Sequence, residues 1–238
     1  IYTDISLLTC NSAFAKDAIK LFHSLSTGSC YRTKLDCLMI APTQIKTKIL
    51  ELIENEIKAG TEGRIIMKCN AFVDVDVIRA LYRASIAGVK IDLIVRGVSA
   101  LRPGIKGVSE HIRVFSIVGK YLEHARIYYF KHDKVGIYFA SADIMPRNLE
   151  RRVEILTPSL NVDMSKRLME ILQMQLNDNV QMYELQSNGE YHKVPHTDKP
   201  FSSQLAYEEY VNAIYGDSVR NDEVSKAKKL AKRMLKES

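Results

Sequence analysis

The sequence predicts an α/β fold with a mixed, largely parallel sheet flanked by helices. Between residues 36 and 95, short apolar runs alternate with segments whose apolar residues recur at helical spacing. The connections are short, and strand–helix–strand units of this kind form right-handed crossovers between parallel strands. After residue 96, glycines separate further short strands, and for this reason we expect the sheet to be mixed.

Two elements precede this alternation. Residues 5–9 form a short apolar run with strand character, and a helix is expected from about Ser12. The residues expected on the inner side of this helix are Ala15, Ile19, Leu21 and Phe22. The Ser/Thr/Gly-rich stretch 24–34 predicts a linker.

The alternating region predicts three strands, at residues 37–41, 64–68 and 89–95. Pro42 ends the first strand, and the apolar face of the helix after it carries Ile45, Ile49, Leu52, Ile53 and Ile57. Asp74 or Asp76 caps the second helix, which Gly88 ends. These elements form the regular half of the predicted sheet.

The second half of the chain predicts four further strands, at residues 112–118, 125–130, 135–140 and 152–157. A helix then follows with Leu168, Ile171 and Leu172 inward. A polar stretch separates it from a helix near 203–215 and from a basic helix over 216–238.

Charge is unevenly distributed along the chain. The formal net charge is +6, which favours a polyanionic partner such as phosphate, nucleic acid or a membrane surface. Residues 96–152 carry 11 basic and 5 acidic groups, whereas residues 153–219 carry 4 and 10. The excess of positive charge is therefore greatest in the middle of the chain. We interpret the lysine-rich end as a solvated helix rather than as a binding element.

Several classes of protein are disfavoured by the sequence. No apolar run approaches the ~18–20 residues of a membrane span, and no signal peptide is visible. The four cysteines form no C-x-x-C pair, which argues against structural zinc and favours reduced thiols in the cytoplasm. No glycine-rich Walker or dinucleotide loop is present. No metal site is predicted on these residues.

His124 and Arg126 are the central candidates for chemistry. Period-two alternation places both on one face at the start of a strand. An imidazole can exchange a proton near neutral pH, and a guanidinium can hold phosphate oxygens through two hydrogen bonds. The pair therefore suits phosphoryl chemistry. The alternative is a surface histidine in an edge strand whose charges form salt bridges, with Glu123 next to it.

Further candidates follow other strands. Arg96 comes just after an apolar parallel strand, at the sheet edge where ligands collect, or else it pairs with Asp92. Lys68 supplies a charge for phosphate or is simply exposed. Asp143 orients an imidazole or, as we favour, caps a helical turn, and Asn148 lies in the same polar segment.

Several motifs together resemble the C-terminal catalytic part of bacterial polyphosphate kinases. The resemblance runs almost continuously from residue 1 to about residue 158. The segments that carry it are 1–4 (IYTD), 70–74 (NAFVD), 93–97 (LIVRG), 101–104 (LRPG), 116–127 (SIVGKYLEHARI) and 141–149 (SADIMPRNL). The family's pattern differs at Ile144, where it usually has Trp, and at Ala140, where Ser is common.

The resemblance implies an activity and a division into domains. Members of the family transfer the terminal phosphate of ATP to polyphosphate, reversibly, through a phosphohistidine. Residues 1–34 would end one phospholipase D-like catalytic domain, and residues 35–238 would form the next. The phosphorylated histidine and the residues associated with Mg²⁺ lie upstream in the family. We therefore expect this 238-residue chain, which has no initiator Met, to be inactive alone.

The resemblance also assigns site residues position by position. Tyr2 matches a tyrosine that contacts the nucleotide, Arg96 an arginine that contacts ATP, and His124 the second essential histidine, which also contacts ATP. Whether His124 acts as an acid or base, or stabilises charge, stays open. Lys68, Arg126, Asp143 and Asn148 are candidate supporting residues.

The implied partners are ATP, polyphosphate and, in the full-length form, further copies of the chain. Peripheral association with a membrane is a further expectation, and nucleic acid is not expected as a partner. The alternative function is a non-catalytic module that binds polyphosphate or nucleic acid. A phospholipase D-like phosphodiesterase would need two H-x-K-type motifs at its site, and the H-x-R at His124 is the single candidate that we assign to the site.

Overall fold

The computed structural model describes residues 2–29, 33–195 and 199–213. Its helices are α1 (Ser12–Ser26), α2 (Ile45–Ala59), α3 (Val75–Ile86), α4 (Val162–Leu176) and α5 (203–213). Its strands are β1 (Tyr2–Thr3), β2 (Met39–Ile40), β3 (Arg64–Cys69), β4 (Lys90–Val95), β5 (Ile112–Ile117), β6 (Leu122–Glu123), β7 (Arg126–Phe130), β8 (Ile137–Ala140), β9 (Ile155–Pro158), β10 (Met182–Leu185) and β11 (Tyr191–Lys193). A single π-helical turn lies at Arg147–Arg151.

Nine of these strands form one sheet in the order β11-β10-β5-β4-β3-β7-β8-β9-β2. The expected α/β class with a mixed sheet is confirmed. The expectation that the sheet is largely parallel is wrong, because among the described strands of this nine-stranded sheet only β3, β4 and β5 pair in parallel. Every other neighbouring pair in this sheet is antiparallel.

Short turns explain the antiparallel part. Parallel neighbours need a long crossover, whereas the chain between β7 and β8 spans only residues 131–136. Asp133 stabilises this turn by accepting the backbone N–H groups of Val135 and Gly136 and the Tyr138 hydroxyl. Helix α3 is the crossover between the parallel strands β3 and β4, and the long segment 96–111 is the crossover between the parallel strands β4 and β5.

Helices cover both faces of the sheet. Side chains alternate along β3, so that Ile65 and Met67 pack in the cluster that contains α2 and α3. Ile66 packs on the opposite face with Leu168 and Leu172 of α4. Asp74 caps α3, as expected, by accepting the N–H groups at 76 and 77. The carboxyl ends of β3 and β4 are thus supported from both sides.

Helix α1 begins where expected but buries a different face. The buried positions are Phe14, Asp17, Leu21 and Ser24, while Ile19 and Phe22 are 71% and 70% exposed. The reason is Asp17, whose carboxylate accepts the backbone N–H groups of residues 36, 37 and 38. These hydrogen bonds to Asp17, rather than the apolar side chains of α1, determine which face of the helix is buried.

Other differences concern short strands and the end of the chain. Residues 5–9 form no strand; instead β1 precedes them and pairs in parallel with β6. The polar stretch after α4 contains β10 and β11, which antiparallel pairing stabilises despite weak periodicity. The first residues of the predicted linker, 24–26, belong to α1 instead, and residues 30–32 of it lie outside the described residues, as does the whole of the predicted basic helix 216–238. Within the described ranges, no helix has the length and apolar character of a membrane span.

Candidate active site

The pairing of β1 with β6 holds His124 beside the start of the chain. The backbone N–H of His124 donates to the carbonyl of Thr3 at 2.9 Å. Asp4 follows directly, and its Oδ2 lies 3.2 Å from Nδ1 of His124. The Tyr2 ring meets the imidazole edge-on, with 5.7 Å between the ring centroids. Two residues assigned by the resemblance, Tyr2 and His124, are therefore neighbours.

His124 and Arg126 are neighbours, as predicted, although His124 lies just before β7 rather than within it. Nη1 of Arg126 lies 2.9 Å from Nδ1 of His124, and Nη2 lies 3.3 Å from Nε2. Strand β7 runs inside the sheet between β3 and β8, so the edge-strand alternative is wrong. The imidazole is 38% exposed and the arginine is buried.

Asp143 fixes the Arg126 guanidinium. Nε of Arg126 donates to Oδ1 at 3.2 Å, and Nη2 donates to Oδ2 at 3.0 Å. Asn70 donates to Oδ1 as well, from its backbone N–H at 2.7 Å. Burial alone would raise the pKa of the Asp143 carboxyl, but the Arg126 and Asn70 hydrogen bonds outweigh it and lower that pKa below 3.8. Asp143 is therefore a buried carboxylate.

Asn148 also holds Asp143, through the backbone N–H of that residue. Its Oδ1 accepts the backbone N–H of Asp143 at 3.3 Å, and its Nδ2 donates to Oε1 of Glu154 at 2.8 Å. The favoured interpretation of Asp143 as the cap of a helical turn is wrong. The π-helical turn begins after Pro146 without a side-chain cap, because Arg126 and Asn70 already engage both oxygens of Asp143.

Lys68 and Arg96 have different environments. Lys68 is 4% exposed, and its Nζ lies 3.3 Å from both the Glu123 carboxylate and the carbonyl of Ala125. Its charge therefore serves an internal ion pair rather than open solvent. Arg96 borders the cleft, and it does not pair with Asp92, whose carboxylate binds two other arginines.

These residues open onto a cleft of about 650 Å³. Four arginines and one histidine contribute donors to its lining: Arg96, Arg126, Arg147, Arg152 and His124. Its acidic lining residues are Asp4, Asp143 and Glu154. Such a surface suits an anionic ligand with several charges. Tyr2 borders a neighbouring, largely apolar cleft of about 570 Å³ together with Lys68.

Sequence reasoning missed part of this lining. Arg147 and Arg152 were not singled out as site residues, although both belong to the basic segment 96–152 and Arg147 lies in a motif that carries the resemblance. Asp4 also lies in such a motif. Glu154 gave no signal, because its contact with Asn148 exists only in the folded chain.

Cys69, at the carboxyl end of β3, does not offer a nucleophilic thiolate. Burial raises the pKa of the Cys69 thiol far above its ordinary value, so this cysteine is a packing residue. In residues 2–29, 33–195 and 199–213, no group of three or more His, Cys, Asp or Glu residues could hold a metal ion. The cleft can therefore bind phosphate groups through cations and present His124 to them.

Comparison with known proteins identifies the family of this chain. Residues 38–204 match the model of the family described as polyphosphate kinase C-terminal domain 2. The chain belongs to this family. It is 55% identical over 208 residues to the polyphosphate kinase of Helicobacter pylori strain 26695, covering 87% of this chain and 30% of that protein. It is 48% identical over 238 residues to the polyphosphate kinase of Campylobacter jejuni subsp. doylei, covering 100% of this chain and 34% of the relative.

The fold is also similar to a solved polyphosphate kinase. The crystal structure of the enzyme from Porphyromonas gingivalis superposes with a TM-score of 0.80 at 34% sequence identity. The match covers 88% of this chain and 33% of that one. The chain thus spans about a third of the length of these polyphosphate kinases. A phospholipase D family member from Salmonella typhimurium matches at a TM-score of 0.45 and 15% identity, a likeness that says nothing about activity.

Magnesium does not fit the described residues of this chain. Two of the three acidic residues in the cleft are already engaged, Asp143 by Arg126 and Glu154 by Asn148 and Ser141. The third, Asp4, faces the His124 ring. Mg²⁺ needs oxygen ligands in octahedral geometry, which these engaged carboxylates do not offer.

Proposed function

We propose that this chain is the C-terminal catalytic part of a polyphosphate kinase. In this reaction the terminal phosphate of ATP passes to the end of a polyphosphate chain, leaving ADP, and the reaction runs in both directions. The observation that carries the proposal is the His124 imidazole, set against Arg126 at the edge of a cleft with three further arginines. Membership of the family supports it.

The cations have separate roles in this proposal. Arg126 donates to Asp143 and faces both nitrogens of His124, so most of its N–H groups are engaged. It therefore positions the imidazole. Arg96, Arg147 and Arg152 bind phosphate oxygens and neutralise the charge that builds up during transfer.

His124 acts on the transferring phosphate or on the oxygen that leaves it. Its ring lies between the Asp4 carboxylate, which accepts hydrogen bonds, and the Arg126 guanidinium, which donates them. From this position the imidazole can donate a proton to the leaving oxygen. It can equally stabilise negative charge as an imidazolium.

The remaining parts of the proposal rest on the family rather than on this geometry. ATP binds with Tyr2 near its nucleoside, and the phosphohistidine belongs to a part of the enzyme outside these residues. The domain boundary at residue 34, association of full-length copies and a cytoplasmic location belong to the same proposal. Peripheral contact with a membrane is also part of this proposal.

The test is ATP-dependent polyphosphate synthesis by the full-length enzyme that carries this segment. His124→Gln should lose synthesis and retain its unfolding temperature. A non-catalytic binding module would be favoured by a different set of results. The parent enzyme would bind polyphosphate without measurable synthesis, the variant would bind it equally well, and DNA would displace it. Loss of synthesis with retained folding supports the kinase.

A further inference from the structure

Among the residues that the structure describes, three buried side-chain atoms have no partner: Oδ1 of Asn70, Nη1 of Arg96 and Oε1 of Gln175. Arg96 and Gln175 line one small cavity, which Asn70 does not. Gln175 lies in α4 and is 4% exposed, so its amide oxygen cannot turn to bulk water. An unpaired buried donor or acceptor is destabilising, and such groups in folded proteins commonly bind an internal water.

The orientation of the Gln175 amide is fixed by its other end. Its Nε2 donates to Oε2 of Glu123, and only the nitrogen end of an amide can donate to a carboxylate. Glu123 is held in turn by Lys68 and by Nε2 of Gln204. The oxygen of Gln175 therefore points away from Glu123, and exchanging the two ends of the amide would not give it a partner.

The same two residues line one small cavity. Lys68, Glu123, Ile94 and Ile117 also line it, together with Cys69. The space open to the centre of a water molecule is about 10 Å³, which is room for about one water. A water there would meet a donor at Arg96 and an acceptor at Gln175, with Lys68 and Glu123 as further polar neighbours.

We propose that one internal water occupies this cavity and joins Arg96 to Gln175. The water accepts a hydrogen bond from Nη1 of Arg96 and donates one to Oε1 of Gln175. The water fixes the buried edge of the Arg96 guanidinium, whose other edge faces the cleft. Gln175 is therefore a positioning residue for Arg96. The inference rests on the proposed function, in which Arg96 binds phosphate.

A crystal structure that resolves ordered waters tests the first half directly. Density for one water within hydrogen-bond distance of both atoms supports the proposal, and a dry cavity overturns it. This outcome does not depend on whether Arg96 binds phosphate, so it separates the water site from the proposed function.

Kinetics of the full-length enzyme test the second half. Gln175→Met keeps the volume and removes both the acceptor and the donor to Glu123, and it should raise the KM for polyphosphate about tenfold, equivalent to about 1.4 kcal/mol, with kcat little changed. Gln204→Met is the matched control, because Gln204 shares the Glu123 partner and does not line the cavity. The control should keep a near-parental KM, and unfolding temperatures check that both variants fold.

A double-mutant cycle decides whether Gln175 acts through Arg96. In an Arg96→Ala background, Gln175→Met should cause no further rise in KM. Independent, multiplicative effects would overturn the positioning role. If Arg96→Ala itself leaves the KM unchanged, the phosphate-binding role of Arg96 in the proposed function is wrong. The crystallographic test of the water is independent of this result.

Discussion

Arg126 and Asp143 form a buried two-point ion pair, with nitrogen–oxygen distances of 3.2 Å and 3.0 Å. Both side chains are 10% exposed. Because Arg126 also contacts the His124 ring, the pair links the fold of the sheet to the geometry of the candidate catalytic residue. Breaking it should affect stability and activity together.

Asp143→Ala should lower the free energy of unfolding by about 3–5 kcal/mol, since it leaves a buried guanidinium without its carboxylate. It should also reduce synthesis, because the guanidinium no longer fixes the imidazole. Urea unfolding and a synthesis assay measure the two effects. Glu110→Gln, at an exposed position, is the control and should change neither. An unaltered unfolding midpoint in Asp143→Ala would contradict the structural role of the pair.

The ion pair also predicts a dependence of stability on pH. The pKa of Asp143 is lower in the folded chain than its ordinary value of 3.8. Its contribution is therefore fully present above the unfolded value and is lost as pH falls through the folded value. Below about pH 4, the parental chain should lose stability more steeply than Asp143→Asn. Parallel curves of unfolding free energy against pH would count against this prediction.

His124→Ala should reduce synthesis by about 10²–10⁴-fold, the usual contribution of a general acid or base. The fold should stay intact, because the side chain is partly exposed and its backbone N–H still donates to Thr3. The control is His111→Ala, at an exposed position that does not line the cleft. Near-normal turnover in His124→Ala would remove this residue from the mechanism.

Adjacent arginines allow a matched test of the cleft. Arg152 lines it and Arg151 does not, although both are exposed and consecutive. Arg152→Gln should weaken polyphosphate binding about tenfold and reduce its salt dependence, because a charge-assisted phosphate contact is lost. Arg151→Gln should leave affinity near the parental value. Isothermal titration calorimetry at two salt concentrations distinguishes the two variants. Equal losses of affinity would indicate a general effect of positive charge rather than a contact in the cleft.

The anchor of α1 gives a prediction about stability alone. Asp17→Ala removes the acceptor for three backbone N–H groups and should cost about 2–4 kcal/mol. Asp36→Ala, which removes an exposed ion pair with Lys20, should cost less than about 1 kcal/mol. Thermal unfolding compares the two variants. A cost for Asp36→Ala as large as that for Asp17→Ala would contradict the assigned anchor.

The sequence was informative where local pattern and burial agree. Helices α2 and α3 and strands β3 and β4 lie close to their predicted bounds, because their apolar periodicity is strong and Asp74 caps α3. That His124 and Arg126 are neighbours followed from strand alternation alone. In each case the signal lies within a few residues of the element it predicts.

Contacts between distant segments gave no such signal. Asp17 meets residues 36–38 and Asp143 meets Asn70, and both contacts overturned interpretations that were based on local propensity. Strand β10 forms in a polar segment because it pairs with β5, and β11 forms because it pairs with β10, not because of their own periodicity. Lys68 could not be placed either, since the Glu123 that neutralises it lies 55 positions further along the chain.

The pairing of β1 with β6 has a consequence for thermal behaviour. Among the described residues, two on each strand form this ladder, and it stands apart from the nine-stranded sheet. Its opening by local unfolding therefore requires much less free energy than global denaturation, and amide hydrogen exchange should be fast at Thr3 and His124 but slow in β3. Catalytic competence would then be lost by fraying on heating, several degrees before the core melts.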